Sequence, residues 1–434
     1  MPRKGQSVRT GSHLRRSEAS ALRELAAGAG LEGHLREGAL IRGGRLGEDV
    51  GFASRKGSLV ALSLRRCGLT SLPESLAELQ GLRQLDLEGN RFSELPGSVR
   101  ALLDLQCLYL DQNRLRSVPG FLPRLIRLRE LHLDDNLLRS LPAGLDRLKS
   151  LHRLSVRGNR LVSIPESIGG LRRLKDLSLG KNRLRSLPAS LLRLTGLEAL
   201  NLGENRLSSL PTGIRRLTRL RLLDLGHNEL TWLPEELFRL AGLSDYLYLH
   251  NNRLTSVPKA LGNLTALRYL NIGGNRLGAL PDTIGSLRSL RELRLSDNRL
   301  VALPTALGDL SALRELHLGK NELASLPSSI GKLGRLRELR LANNHLSAIP
   351  ESIGALSRLC RLELRNNRLT RVPDSLAKLK GLTELDLRGN RLVFLPAPIA
   401  DLPRLQRLDL RWNKLSALPG WARRLEQRGC VVWR

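Results

Sequence analysis

Aromatic side chains make up only 3% of the 434 residues, so a core of any size has to be built from aliphatic groups. Cysteine is scarce too. Cys67, Cys107, Cys360 and Cys430 are far apart, with no CxxC pair and no cluster. That spacing argues against a disulfide framework or a structural zinc site and points to a reducing compartment. No apolar run approaches membrane-spanning length, and the basic Met1-Pro-Arg-Lys-Gly-Gln start lacks the apolar stretch of a secretory signal. The expectation is a soluble, cytoplasmic chain, for which the sequon Asn263-Leu264-Thr265 carries no meaning.

Lysine is the other shortage. Only 11 of the 71 basic residues are lysine, leaving 60 arginines and a net charge of +30. A field of that size favours anionic partners and salt-dependent association. A GC-rich coding sequence yields the same arginine excess, and composition alone leaves both readings open.

Leucine and regularity are abundant. From Leu59 onward the chain aligns with itself at a period of 23 residues, sixteen times. One copy reads Leu82-Arg-Gln-Leu85-Asp-Leu87-Glu-Gly-Asn90-Arg-Phe92-Ser-Glu-Leu95-Pro96, followed by Val99 and Leu102. The ninth position holds Asn90, Asn113, Asn136, Asn159, Asn182, Asn205, Asn228, Asn252, Asn275, Asn298, Asn321, Asn344, Asn367, Asn390 and Asn413, with Cys67 in the first copy. Sixteen of the twenty prolines, Pro73 to Pro419, follow an aliphatic residue at one position.

Each Leu-x-Leu stretch alternates with period two and reads as a short strand. The Asn sits where the strand ends, and its amide can donate to and accept from backbone groups of neighbouring turns. Proline fixes φ and removes a donor, so the return segment is not a strand, and pairs such as Ile168-Gly169 suit a short helical turn. One unit buries too little to offset the entropy of ordering it, so only a stack with closed ends is stable.

Over residues 59–423 the chain resembles the leucine-rich repeat family, and its LPxxIxxL half is similar to the intracellular branch that includes Ras-interacting and plant Ras-group scaffolds. The resemblance implies an α/β solenoid: a leucine-rich repeat horseshoe with a parallel β-sheet on its concave face and short helical or irregular turns on its convex face. It also implies a non-enzymatic protein-interaction scaffold in signalling.

Residues 1–58 read as an N-terminal extension and cap, with a helix over Ser17–Ala27 N-capped by Ser17 and an undefined stretch over 28–58. At the other end, 424–434 reads as a C-terminal cap, with Leu425, Val431, Val432 and Trp433 covering the last coil. Gly28-Ala-Gly30-Leu-Glu-Gly33 matches GxGxxG but follows a predicted helix rather than a strand, which defeats a nucleotide-binding reading. Gly180-Lys181 and Gly319-Lys320 lack the upstream glycine of a P-loop, and HExxH and GxSxG are absent. The segments outside the repeats are too short for a kinase, GTPase or ligase domain, so no enzyme, cofactor or metal is expected.

Residues flanking the strand leucines are the freest in the template. All four tyrosines fall there: Tyr109, Tyr246, Tyr248 and Tyr269, three of them in two adjacent repeats beside His250. Tyrosine combines apolar area with a hydroxyl at low entropy cost, which suits a contact surface. The ninth copy carries one extra residue in Leu243-Ser-Asp-Tyr-Leu247, expected to form a bulge that re-aims side chains.

A second candidate groups Asp86, Glu88, Asp111, Glu130, Asp134 and Asp135 with His132; carboxylates this close repel, so a basic partner segment is expected there. The C-terminal copies mix Arg361, Glu363, Arg365, Glu384, Asp386, Arg388, Arg407, Asp409 and Arg411, which can compensate one another across strands.

Arginine follows the Asn in ten copies, including Arg91, Arg114, Arg160, Arg183, Arg206, Arg253, Arg276, Arg299, Arg368 and Arg391, and a second column holds Arg83, Arg129, Arg221, Arg268, Arg291, Arg314 and Arg337. A protein partner on the concave face is the leading expectation. Nucleic acid or another polyanion on the arginine rims is the alternative, weakened by the lack of interleaved aromatics for base stacking.

Overall fold

The computed structural model describes residues 14–38, 49–416 and 420–434, and the chain divides into two compact units, Met1–Arg206 and Leu207–Arg434. In the first, β1 (Val50–Arg55) and β2 (Ser58–Leu64) form an antiparallel hairpin. A parallel ladder then runs from β2 through β3 (Gln84–Asp86), β4 (Cys107–Tyr109), β5 (Glu130–His132), β6 (Arg153–Ser155), β7 (Asp176–Ser178) and β8 (Ala199–Asn201).

The second unit holds β9 (Leu222–Asp224), β10 (Tyr246–Tyr248), β11 (Tyr269–Asn271), β12 (Glu292–Arg294), β13 (Glu315–His317), β14 (Glu338–Arg340), β15 (Arg361–Glu363), β16 (Glu384–Asp386), β17 (Arg407–Asp409) and β18 (Val431–Trp433), all parallel. The central leucine of each repeat strand is buried, so the residues on either side of it face away from the core.

Opposite each strand the chain returns through a 3₁₀ turn. Glu166–Gly170 is typical: Pro165 enters it with φ −69° and ψ 149°, a conformation the ring favours. Glycine follows the buried isoleucine or leucine because successive turns touch. At Gly308 a β-carbon would stand 2.3 Å from the Ser329 carbonyl oxygen. Each unit is thus an α/β solenoid, with a parallel sheet on one wall and 3₁₀ turns on the other.

The asparagines tie the walls together. Asn159 is buried, its Oδ1 accepts the Leu138 N–H at 3.0 Å, and its Nδ2 donates to the carbonyls of Leu133, Val156 and Arg157 at 2.8, 3.1 and 3.2 Å. Asn344 repeats the pattern in the second unit with Leu323, Leu318, Leu341 and Ala342. Cys67, in the first copy, only directs its thiol at the Arg65 carbonyl, 3.2 Å away.

The residue before the Asn, or before Cys67, is left-handed in all sixteen copies, although only Gly89, Gly158, Gly274 and Gly389 are glycines. Arg66, Lys181, His227 and Trp412 adopt φ of 56°, 52°, 53° and 58° there. Each non-glycine costs roughly 1–2 kcal/mol, which the amide network it sets up has to offset.

The ends depart from expectation in detail. Helix α1 spans Arg16–Gly28, so Ser17 lies inside it and no side chain caps it. Glu18 is instead buried and accepts from Ser58 Oγ at 2.8 Å and the Leu59 N–H at 3.2 Å, tying the helix to β2. The 28–58 stretch supplies β1, and Phe52 exchanges backbone bonds with Arg36 and Gly38. Gly30 and Gly33 lie in left-handed turns after α1. At the far end α2 (Ala422–Gln427) buries Leu425, whereas Val431 and Trp433, expected to cover the last coil, are exposed because β18 extends the sheet edge instead. Pro419 lies outside the described residues.

Replacing Asn159 by Ala leaves its backbone partners buried and unpaired, and should lower unfolding free energy by about 1–3 kcal/mol in a urea titration. The same change at Asn413, which is only half-buried, should cost less.

Candidate functional site

In the second unit, β10 and β11 bring three tyrosines onto the solvent face. Tyr246 lies opposite Tyr269 in the register, and Tyr248 opposite Asn271. The rings form one cluster, with centroids 5.9 Å apart for Tyr246 and Tyr248, 5.5 Å for Tyr246 and Tyr269, and 5.0 Å for Tyr248 and Tyr269. Tyr246 is 42% exposed and the other two are half-buried. Burial pushes the Tyr269 hydroxyl up to about 12, against the pull of Arg294, and raises Tyr248 as well, so both remain neutral donors near pH 7.

His250 extends the cluster, 5.9 Å from Tyr248 and edge-on to His227 at 4.8 Å. Its ring lies where a side chain on residue 226 would go: a β-carbon at Gly226 would meet the imidazole Cε1 at 2.3 Å. Burial first, then His227, lowers its pKa, so it is neutral at physiological pH, with a buried Nδ1 that has no hydrogen-bond partner. Arg294 lies 5.7 Å over the Tyr269 ring while its Nε donates to Glu292.

The expected bulge is confined to the strand entrance. The β9–β10 register stays residue for residue from Tyr246 to Tyr248, and the Asp245 and Tyr246 N–H groups both point to the Arg221 carbonyl. The sheet bonds hold the strand itself in line, so the extra residue is absorbed ahead of it. There the Asp245 carboxylate reaches Arg221 at 3.1 Å and Arg268 at 3.9 Å.

The next strands hold a charged group that the repeat pattern does not single out. Glu292, Glu315 and His317 bring potential ligand atoms within 4.8 Å of one another. Glu292 already holds the Arg294 guanidinium, and His317 lies 3.3 Å from Glu315, so the trio reads as a charged fringe to the tyrosines. Its only sequence signal is a Glu-x-His alternation that any solvated strand shows.

In the first unit the acidic candidate is a different object from the one expected. Asp86 is 0% exposed and lies 3.8 Å from Arg65 Nε, so it offers a partner no accessible charge. Asp111 Oδ1 accepts the Asp134 N–H at 2.7 Å, and Asp134 Oδ1 accepts the Arg157 N–H at 2.7 Å and the Ser155 hydroxyl at 2.6 Å. Glu88 donates its N–H to Asp86. Asp135 forms the left-handed turn and faces Lys181 at 3.9 Å.

Tyr109 is 5% exposed, its ring tilted against His132 at 4.8 Å, with its hydroxyl 3.3 Å from Glu130; it packs inside this row and offers a partner little surface. His132 Nε2 sits 3.5 Å from Glu130, an ion-pair distance rather than a formed hydrogen bond. That contact outweighs burial and holds Glu130 below its usual value. The backbone donors and neighbours inside the row do much of what a basic partner was expected to do.

The C-terminal charges also bind one another. Arg361 bridges Glu338 and Glu384, Arg407 joins Glu384, Arg388 lies between Asp386 and Asp409, and Arg365 and Arg411 pair with Glu363 and Asp409.

Asp111 carries a pH signature. Burial raises its carboxyl from 3.8 to about 6, the Asp134 N–H opposing and the Asp134 charge adding. The folded state therefore holds this proton more tightly than the unfolded chain, and the resulting stability is present below 3.8 and lost as pH rises through about 6. Asp111→Asn keeps the acceptor oxygen and removes the charge. It should raise the unfolding free energy by about 1 kcal/mol at pH 7.5 and by nothing near pH 3, read from urea titrations at both.

Two family models match the chain. One, described as leucine rich repeat, covers 104–161, 126–184, 172–230 and 218–277; the other, described as leucine-rich repeat region, covers 258–339 and 305–391. No curated protein matches. Among solved structures, a leucine-rich repeat protein of Leptospira interrogans is 36% identical, with 86% of this chain and 94% of that one covered and a TM-score of 0.81. The plant peptide hormone receptor RGFR1 in complex with RGF2 is 30% identical over 82% of this chain and 60% of that one, TM-score 0.71. The Toll–Spatzle complex of Drosophila is 27% identical over 80% and 50%, also at 0.71. The models and the 36% identity over most of both chains show that this chain belongs to the leucine-rich repeat family, whose fold is typical of protein-interaction scaffolds.

Proposed function

We propose that the chain is a non-enzymatic protein-interaction scaffold of intracellular signalling, working in the cytoplasm. It takes its partner on the solvent face of the sheet in the second unit, with Tyr246, Tyr248, Tyr269 and His250 as anchors. The observation that carries this reading is the continuous aromatic cluster on β10 and β11, fringed by Arg294. Semi-exposed tyrosines on a hydrogen-bonded sheet lose little entropy on binding and can contribute both area and hydroxyl donors.

Two similar structures are complexes, a plant peptide hormone receptor with RGF2 and Toll with Spatzle, which supports a protein or peptide as the occupant. The four free cysteines and the LPxxIxxL pattern support the intracellular assignment. The acidic row of the first unit takes no part in this function, since Asp86, Asp111 and Asp134 are held by Arg65 and by the N–H groups of Asp134 and Arg157.

Replacing Tyr246, Tyr248 and Tyr269 together by Ala should weaken a partner captured by the wild-type chain by about 100-fold or more in calorimetric titration. The melting temperature should stay within a few degrees. Unchanged affinity in the triple variant removes the site.

A further inference from the structure

Three residues after Asn113, Asn136, Asn159 and Asn182, the first unit carries a row that reads Arg116, Arg139, Val162, Arg185. The row one residue after the asparagine reads Arg114, Leu137, Arg160, Arg183. Backbone bonds fix how the rows interleave. The Arg160 N–H donates to the Leu138 carbonyl and the Arg183 N–H to the Leu161 carbonyl, both at 2.9 Å. Arg160 therefore lies alongside Leu138 and Arg139, and Arg183 alongside Leu161 and Val162.

At Val162 the arginine of that row is replaced by a short apolar side chain, 59% exposed, and the space is open: a cleft of about 380 Å³ lined by Arg139, Arg160, Val162 and Arg183. Among the described residues no carboxylate lines it. Four acids of the surrounding coils are held elsewhere: Asp135 by Lys181, Asp176 by Arg153, Glu204 by Arg157, and Glu166 by the Ser190 N–H.

Three guanidinium groups gathered round one cleft repel each other, and that repulsion is relieved by an anion with enough oxygens to accept from several of them. A guanidinium fork pairs bidentately with phosphate as with carboxylate, but a phosphomonoester offers three acceptor oxygens and a higher charge, enough for several forks at once. The cleft is too small for a nucleic-acid duplex but large enough for one phosphoryl group and the atoms carrying it, with Val162 as an apolar floor for the carrier. The backbone beneath is held by Asn159 and Asn182, so little is reordered when the anion arrives.

We propose that this cleft is a binding site for a phosphomonoester dianion, carried either by a small phosphorylated molecule or by a phosphorylated side chain. The site lies wholly in the first unit and does not depend on the tyrosine surface of the second.

The test titrates the full chain at near-physiological salt with free phosphoserine, with a neutral peptide containing one phosphoserine, and with the unphosphorylated peptide. Both phosphorylated probes should bind and the unphosphorylated peptide should not. A peptide held about tenfold more tightly than phosphoserine identifies a phosphorylated side chain as the source; equal affinities identify a small molecule. Replacing Arg139, Arg160 and Arg183 by Ser should weaken binding by about 30-fold or more, whereas a charge-matched triple, Arg314→Ser, Arg335→Ser and Arg337→Ser, should change it by less than about twofold.

Val162→Arg restores the residue type of the neighbouring rows, so the fold tolerates it; it should abolish binding by filling the cleft although it adds positive charge. Equal losses in the two serine triples, or binding as tight or tighter in Val162→Arg, would show diffuse attraction and overturn the site. So would the absence of phosphate-dependent binding at about 10 mM probe.

Discussion

The structure depends on one side-chain amide. Each ladder asparagine satisfies backbone groups of its own turn and of the neighbouring coil, with one oxygen accepting and one nitrogen shared among carbonyls. Those groups lie in a core of leucines where no water reaches, and left unpaired each would cost more than a hydrogen bond gains. The left-handed residue before the asparagine belongs to the same device. It swings the chain sharply off the strand so that the amide points inward, and the strain is tolerated even by Trp412, which is 72% exposed and flanked by Arg388 and Arg411 at 5.6 and 5.9 Å.

Because the amide network and the leucines hold the fold, the outer strand positions carry little structural duty, and their fate is decided by their neighbours. Two tyrosines flanking a strand leucine, Tyr246 before Leu247 and Tyr109 after Leu108, end exposed and buried respectively. At Tyr109 the adjacent strand supplies His132 and Glu130, which cover the ring and bind its hydroxyl. At Tyr246 the adjacent strands supply Leu222 and another tyrosine, and the ring stays at the surface. The acidic row shows the same rule: Asp111 and Asp134 lie one coil apart, so each carboxylate meets the backbone N–H leaving a neighbouring strand.

The repeat period, the asparagine and proline columns and the alternation of leucines were all legible, because each is a residue type enforced by a buried partner. The parallel sheet and 3₁₀ turns follow from them. The left-handed column was not legible: the constraint there acts on the backbone, and Arg66, Lys181 and Trp412 meet it with unrelated side chains. Grouping Tyr246, Tyr248, Tyr269 and His250 needed only the period, since residues one repeat apart become cross-strand neighbours. Knowing that Asp86 is covered, or that Asp245 absorbs the inserted residue ahead of the strand, required the path of Arg65 and Arg221, which no periodicity encodes.

Charge shows most plainly why composition is a poor guide to function here. Much of the arginine in the C-terminal strands is spent inside the sheet, where Arg361, Arg388, Arg407 and Arg411 hold carboxylates on the same or the next strand. Arg139, Arg160 and Arg183 of the first unit lie off the strands and gather around Val162. A net charge of +30 therefore describes two populations, one that neutralises the sheet and one that leaves a field outside it. A coding bias toward arginine can fill every permissive position, but it does not decide which guanidiniums find a carboxylate. That is set by the offset between strand and turn within a single repeat.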